Sequence, residues 1–525
     1  MRRYAGLAAA LALGVIMVAG FAPLNWWWLP LLTLAGLVHL WQGAESQAGP
    51  GRAAALGFAF GLGWFCTGIS WVYVSMHDYG GMPLPLAGAA TLLFAAYLAL
   101  FPAMAGWLQA RLLAPRERAA WWYAALITGA AWAFSEWVRG WLFTGFPWIA
   151  TGYAHTDGPL AGYAPVLGIH GLNFLSGALA TLLARAAAVL LARQAPLLEA
   201  WQAPLLAARQ ARRALVAPAL AVAVIIALGA GLRQVAWTEP TGRPVTVSLL
   251  QGNVPQDLKF VPGRFESTLA EYQRLIEANP AELIVLPETA LPRMIQQIPD
   301  DYLRHLAGFA RAHQGNIVVG VPTAESREDY YNSAISIGSN AVQQYDKSHL
   351  VPFGEFIPFG FRWFVDMMRI PLGDFSRRAH VQAPLQLGEL RAAVNICYED
   401  LFGDEIIRPL PQANLLINIS NIAWFGASLA PHQHLQISRM RALETGRYML
   451  RATNTGATAV IDAQGRVTAQ LAPFTMGALV STAQAYSGAT PYVRFGDWPA
   501  VLLSLALLAW GARRAWRARQ AAPPG

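Results

Sequence analysis

Three ionisable residues stand where apolar, strand-like runs end. "LIVLPETA" closes its run on Glu288, "QQYDKSHLVPFGEFIP" places Lys347 just after one, and "AVNICYED" ends one in Cys397. A thiolate is a strong nucleophile. A glutamate within reach accepts the thiol proton. A lysine ammonium lowers the thiol pKa and offers charge to the oxyanion formed when a carbonyl is attacked. Each residue alone has a plainer reading, since a lone strand-end Cys is more often packed and single Glu or Lys residues more often solvated. Their equivalent placement gives the trio its weight. Glu399 and Asp400 follow Cys397 and would discourage its ionisation, but alternate residues of an extended segment point oppositely. Only the distant Glu and Lys need reach the sulfur.

The elements that must position these residues alternate. Strand-like runs at Val245–Leu250, Glu282–Leu286, Ile317–Val321, 331–337, 341–346, 390–396, 414–419, 448–453, 457–462 and 478–482 are interleaved with helical spacing at Glu266–Ala278, Asp301–His313 and His432–Thr445. Such alternation predicts an α/β layered domain over 244–483. In sheets of this kind, chemistry sits beyond the carboxyl ends of the strands.

The rest of the chain is apolar. Of 525 residues, 55% are hydrophobic and 13% charged, against about 25% charged in soluble proteins. A span needs roughly 20 apolar residues, and eight candidates are read at 4–20, 26–42, 54–76, 84–112, 119–138, 164–192, 214–232 and 497–512. This gives seven transmembrane helices in 1–232, an eighth at 497–512 and a tail at 513–525. Arg2/Arg3, Arg52, Arg111/Arg116/Arg118, Arg193/Arg209/Arg212/Arg213 and Arg513/Arg514/Arg517/Arg519 fall in alternate connections. The positive-inside rule makes those connections cytoplasmic. Both termini are then cytoplasmic and the 244–483 domain is periplasmic in a bacterium. The net charge of +8 needs no nucleic-acid partner, because much of the arginine lies between apolar blocks. The two cysteines, Cys66 in a span and Cys397 in the domain, make no disulfide framework.

"LPETA", "YDKSHLVPFGEFIP", "NICYED" and "NISNIAWFG" together resemble the carbon–nitrogen hydrolase (nitrilase) superfamily and, within it, the membrane-embedded apolipoprotein N-acyltransferase branch. The resemblance covers the whole chain. It implies a polytopic helical body carrying an α-β-β-α sandwich, with a Glu288–Lys347–Cys397 triad facing the periplasm at the bacterial inner membrane. It implies acyl transfer from a phospholipid, usually phosphatidylethanolamine, to Cys397 as a thioester. The chain then passes to the α-amino group of the diacylglyceryl-cysteine of an apolipoprotein. No cofactor or metal is implied. Glu355 matches the family's additional glutamate, Tyr398 and Glu399 the pair after the nucleophile, and Asn253 in "QGN" the first-strand motif. Where the family often has Trp in an "LKW" context, "LKF" places Phe260, which keeps an aromatic ring but no indole N–H.

Other features have plainer readings. The stretch Phe353–Ala379, with Trp363, Met367 and Met368, reads as either a buried insertion or a lid over the site. Asn25-Trp26-Trp27-Trp28 reads as an interfacial aromatic belt, Glu136 and Arg139 as a structural pair, and the "APLL" repeat of the 193–213 linker as an interfacial segment. His432 and His434, two apart on a helix, do not share a face. A membrane-anchored nitrilase or amidase remains the alternative function, but a soluble nitrile or amide needs no multi-span body. A transporter is disfavoured by the intact triad and by the scarcity of paired charges in the spans.

Overall fold

The computed structural model describes residues 2–113, 120–192, 204–326, 328–357, 374–379 and 381–520. Arg116, Arg118, Arg193, Trp363, Met367 and Met368 lie outside them, as do most of the linker repeat and the last residues of the tail. The chain divides into two compact units. One comprises residues 1–70, 90–235 and 497–525, and the other 71–89 and 236–496.

The first unit is helical, with Arg2–Met17, Leu29–Gly68, Trp121–Arg139, Ala164–Ala192, Pro204–Leu232 and Trp498–Gln520 among its elements. Helix Leu29–Gly68 breaks at Gly49, whose φ of 71° and the following Pro50 interrupt the hydrogen-bond ladder. Two helices, Leu84–Leu112 and Pro159–Val189, are long and apolar enough to cross a membrane, or three if the broken pair Gly49–Gly68 and Trp71–Tyr79 counts as one span. Tyr4–Gly20, Leu29–Gln42 and Val216–Leu232 are shorter apolar helices. Each expected span thus contains a helix, but the length-and-apolarity criterion admits fewer than eight among the described residues. Trp121–Arg139 is long enough at 19 residues, but its tryptophans and the charged pair at its end lower its hydropathy. There Arg139 Nη2 meets Glu136 Oε2 at 2.7 Å and Arg139 Nε meets Oε1 at 3.1 Å, with both residues buried. The structural reading of that pair is therefore correct. Trp26 and Trp28 stack at 6.2 Å and are both exposed.

The second unit holds two six-stranded sheets. The strands are β1 (Thr238–Gln251), β2 (Leu283–Val285), β3 (Asn316–Ala324), β4 (Tyr330–Gly338), β5 (Gln343–Asp346), β6 (Leu385–Leu387), β7 (Leu390–Ile396), β8 (Leu415–Ser420), β9 (Met449–Thr453), β10 (Ala459–Ile461), β11 (Val467–Gln470) and β12 (Gly477–Gly488). They are ordered β12-β1-β2-β3-β4-β5 and β11-β10-β9-β8-β7-β6. Side-chain alternation builds four layers. Val247, Leu249, Val285 and Val318 of one sheet pack with Val394, Ile396, Ile417 and Leu450 of the other in a shared core. The opposite parity of the first sheet packs under helices Phe265–Ala278 and Asp300–Ala312 through Leu269, Ile276 and Leu306. Ala393, Leu416 and Met449 of the second pack under helix Ala430–Thr445. This is the α-β-β-α sandwich that the resemblance implies. β6 and β11 were not read from the sequence, and β1 extends the Val245 run back to Thr238. Three- and four-residue strands give too few alternations to register as a period.

Candidate active site

Strand direction brings the three expected residues to corresponding ends. β1, β2 and β3 pair in parallel, and β5 runs with β3 because β4 is antiparallel to both. Glu288 therefore follows β2 and Lys347 follows β5 at one end of the first sheet. Cys397 follows β7, which is parallel to β8 and β9. Cys397 is partly exposed with φ 54°, a left-handed conformation uncommon outside glycine. It opens a tight helical turn, Cys397–Leu401. Backbone held in such a region often marks a functional site.

Lys347 is buried between two carboxylates. Its Nζ lies 3.4 Å from Glu288 Oε1 and 2.8 Å from Glu355 Oε2. Asn332 on β4 crosses beneath them, donating from Nδ2 to Glu288 Oε1 at 2.7 Å and to Glu355 Oε1 at 2.8 Å. The N–H of Asn421, just past β8, donates to Glu288 Oε2 at 2.7 Å, and the N–H of Val351 to Glu355 Oε2 at 2.8 Å. Burial opposes the charge on Glu288, but Lys347, Asn332, Asn421 and Lys259 together hold its carboxyl below the usual 4.5. Burial pushes Lys347 down, and the Glu355 and Glu288 carboxylates overcome this and raise it above 10.5.

The Cys397 thiol is raised above 9.0, first by burial and then by the Glu288 carboxylate, with Lys347 acting in the opposite direction. The expected lysine effect is therefore present but outweighed. The resting groups are a neutral thiol, an ionised Glu288 and a charged Lys347. Such a set is suited to passing a thiol proton to Glu288 during an attack by sulfur, rather than to storing a thiolate.

The acids after Cys397 do not alternate along an extended strand, as expected, because the turn redirects both. Glu399 accepts from the N–H of Ser348 and His349 at 2.7 and 3.0 Å, and from Ile396 N–H and Tyr345 Oη at 2.7 and 2.9 Å. It binds the Lys347 loop to the Cys397 turn. Asp400 is fully buried, accepting from His434 Nε2 at 2.7 Å, Ser438 Oγ at 2.5 Å and Arg451 Nη1 at 3.2 Å. Arg451 Nη1 also donates to Asn418 Oδ1 at 2.8 Å, and Asn418 Nδ2 to the Cys397 carbonyl at 3.2 Å.

The supporting residues separate. Tyr398 is buried against Phe402, with ring centroids 5.3 Å apart. Asn253, at φ 50°, donates from Nδ2 to the Phe474 carbonyl at 3.1 Å and from its N–H to the Asn454 carbonyl at 2.8 Å, and Asn454 in turn donates to Asn421, the residue whose N–H binds Glu288. Phe260 is partly buried in the turn after β1. Beside it Lys259 donates to the Glu288 carbonyl at 3.2 Å. Asn332, Asn421, Lys259 and Arg451 were not singled out from sequence. The "LKF" and "NISNIAWFG" stretches that hold Lys259 and Asn421 were the available signal. His432 is exposed and His434 buried, so they occupy different faces. Among the described residues no group of three or more His, Cys, Asp or Glu is placed to hold a metal ion.

Comparison with known proteins covers both units. Residues 13–182 match the apolipoprotein N-acyltransferase N-terminal domain family, and residues 246–492 match the carbon–nitrogen hydrolase family. An apolipoprotein N-acyltransferase of Ralstonia nicotianae is 49% identical over 97% of this chain and 94% of its own length. One of Nitrosomonas europaea is 48% identical over 95% of each. Among solved structures, a carbon–nitrogen hydrolase of Helicobacter pylori is similar at 18% identity and a TM-score of 0.34, over 49% of this chain and 94% of that one. With nearly half its residues shared over almost the full length of such relatives, the chain belongs to the apolipoprotein N-acyltransferase family.

Proposed function

We propose that this acyltransferase works through Cys397 as nucleophile, Glu288 as general base and acid, and Lys347 as the charge that keeps Glu288 ionised. The thiol proton passes to Glu288 as sulfur adds to an ester carbonyl of a phospholipid, with phosphatidylethanolamine as the usual donor. The tetrahedral intermediate collapses to a thioester, and Glu288 protonates the leaving glycerol oxygen. The α-amino group of a diacylglyceryl-cysteine then attacks the thioester. Glu288 takes the amine proton and returns one to the departing sulfur.

The observation that carries this reading is the placement of buried Lys347 against the Glu288 carboxylate, with Cys397 at the end of β7. A neutral thiol lies in the field of an ionised Glu288, and Lys347 is held within 3.4 Å of that carboxylate. Acyl transfer is favoured over the hydrolase alternative because full-length relatives carry the acyltransferase name. Incubating purified protein with phosphatidylethanolamine and a diacylated lipopeptide tests it. Intact mass should show an acyl adduct on Cys397, the adduct should pass to the lipopeptide, Cys397→Ser should trap far less, and Cys66→Ala should behave as wild type. Release of free fatty acid without transfer would favour a hydrolase.

The domain limits and membrane topology belong to the same proposal. Seven spans precede a periplasmic domain at 244–483, an eighth follows at 497–512, and both termini are cytoplasmic in the inner membrane. The alternation of arginine-rich connections supports this. A reporter fused near residue 240 should read periplasmic and one near 205 cytoplasmic; the opposite pattern would reject the topology.

A further inference from the structure

Lys347 has its donors committed. Its Nζ lies 2.9 Å from Glu355 Oε1, 2.8 Å from Glu355 Oε2 and 3.4 Å from Glu288 Oε1. Three carboxylate oxygens thus face the three N–H bonds of an ammonium. A new anion on the substrate would have to displace one of them.

A second ammonium stands in the same site. Lys259 is 4% exposed, and its Nζ makes one hydrogen bond, 3.2 Å to the main-chain carbonyl of Glu288. Two of its N–H bonds have no acceptor among the described residues. The charged and titratable groups it faces are Glu288 and Cys397. Burying an ammonium with unmet donors is costly, so the arrangement makes sense where a partner arrives during turnover. The reaction supplies one. As sulfur adds to the ester, the carbonyl π pair moves onto oxygen, which becomes an anion beside Cys397.

We propose that Lys259 is a second cationic catalytic residue, donating an N–H to the oxygen that becomes negative when Cys397 attacks the donor ester. The proposal rests on Cys397 being the nucleophile. The S–C bond forms while the thiol proton goes to Glu288, and the oxyanion accepts a charged hydrogen bond from Lys259 without taking its proton. The C=O bond then re-forms, the C–O bond to glycerol breaks, and Glu288 returns its proton to the leaving oxygen. Burial lowers Lys259 to about 8, with Glu288 and Cys397 pulling it upward, so it stays largely charged at neutral pH.

An anionic oxygen is also what the donor's phosphate presents, and the two sources are separable. Full-length Lys259→Met and Lys259→Gln proteins in detergent would be mixed with either phosphatidylethanolamine or p-nitrophenyl butyrate, an ester without phosphate. Single-turnover growth of the Cys397 thioester would be followed by intact mass. Removing an oxyanion donor costs about 10²–10³-fold, and a loss of at least about 10²-fold is expected with both donors and both variants. A loss confined to phosphatidylethanolamine would assign Lys259 to the phosphate and overturn the proposal. Lys259→Gln keeps a donor for the Glu288 carbonyl but no charge, so a wild-type rate there would reduce Lys259 to a backbone tie. That variant also decides the matter if Lys259→Met does not fold. Absence of a thioester in the wild-type protein would instead sink the nucleophile reading beneath it.

Discussion

The Glu399 carboxylate accepts the main-chain N–H of Ser348 at 2.7 Å. The second residue after Cys397 is thereby bound to the first residue after Lys347. Five donors converge on Glu399: the N–H groups of Ser348, His349 and Ile396 and the hydroxyls of Ser348 and Tyr345. Its role in the geometry is to fix one strand end against another. Glu399→Gln would turn an amide NH₂ toward some of these donors. A buried donor left unsatisfied costs about 1–3 kcal/mol, so the melting temperature should fall together with the rate of Cys397 acylation. Full stability with lost acylation would instead make Glu399 a chemical participant.

Gly320 on β3 lets the Glu288 strand end approach closely. A Cβ there would lie 2.2 Å from the Pro287 carbonyl oxygen and 2.7 Å from Glu288 Cα, both backbone atoms that cannot swing aside. Gly320→Ala should therefore shift Glu288, and overpacking of this kind costs about 1–3 kcal/mol. A displacement of about 1 Å can cost about 10²-fold in rate. Acylation should drop more than stability does. A variant with wild-type acylation would show that the site tolerates movement of its base.

The sequence reveals the strand ends better than the contacts that join them. The run 390–396 coincides with β7, and Glu288, Lys347 and Cys397 fall at ends of β2, β5 and β7 because apolar periodicity stops there. What local patterning does not carry is pairing across long separations. Asn332 meets Glu288 from 44 residues away and Asn421 meets it from 133 away. Both are asparagines, an ordinary residue in loops, and although Asn421 lies in the "NISNIAWFG" stretch, nothing in the local pattern marks either one as the partner of a carboxylate. The direction of the thiol shift was equally hidden. It depends on how far the fold encloses the sulfur beside Glu288, which a motif does not show.

The pH dependence follows from Glu288. Burial raises its pKa, and Lys347, Asn332, Asn421 and Lys259 lower it further, for a net value below 4.5. With ionised Glu288 as the proposed base, activity is lost as pH falls through that depressed value, and the charge proposed for Lys259 adds a second loss as pH rises through about 8. Single-turnover acylation should then stay flat from neutrality down to about pH 5. Asn332→Leu, which removes a 2.7 Å donor to Glu288 Oε1, should move the acid limb upward. An acid limb near pH 6 or above in the wild type would point to a different base.

Asp400 and Arg451 form a fully buried pair at the Cys397 turn, 3.2 Å apart. Arg451 sits on a row across the second sheet, since Asn395 is in register with Asn418 and Asn418 with Arg451, and it reaches Asp400 in the turn after β7. Removing one partner of a buried pair typically costs about 3–5 kcal/mol, because the other charge stays buried without compensation. Asp400→Asn and Arg451→Met should each lower the melting temperature strongly. The double variant should be less damaged than the two losses combined, since neither charge then remains stranded. Additive losses would mean that Asp400 is compensated by His434 and Ser438 rather than by Arg451. A second readout separates support from chemistry. Arg451 acts on the Cys397 thiol in the lowering direction, so Arg451→Met should also slow alkylation of Cys397 by iodoacetamide at fixed pH. If alkylation is unchanged while stability falls, the arginine braces the turn without reaching the sulfur electrostatically.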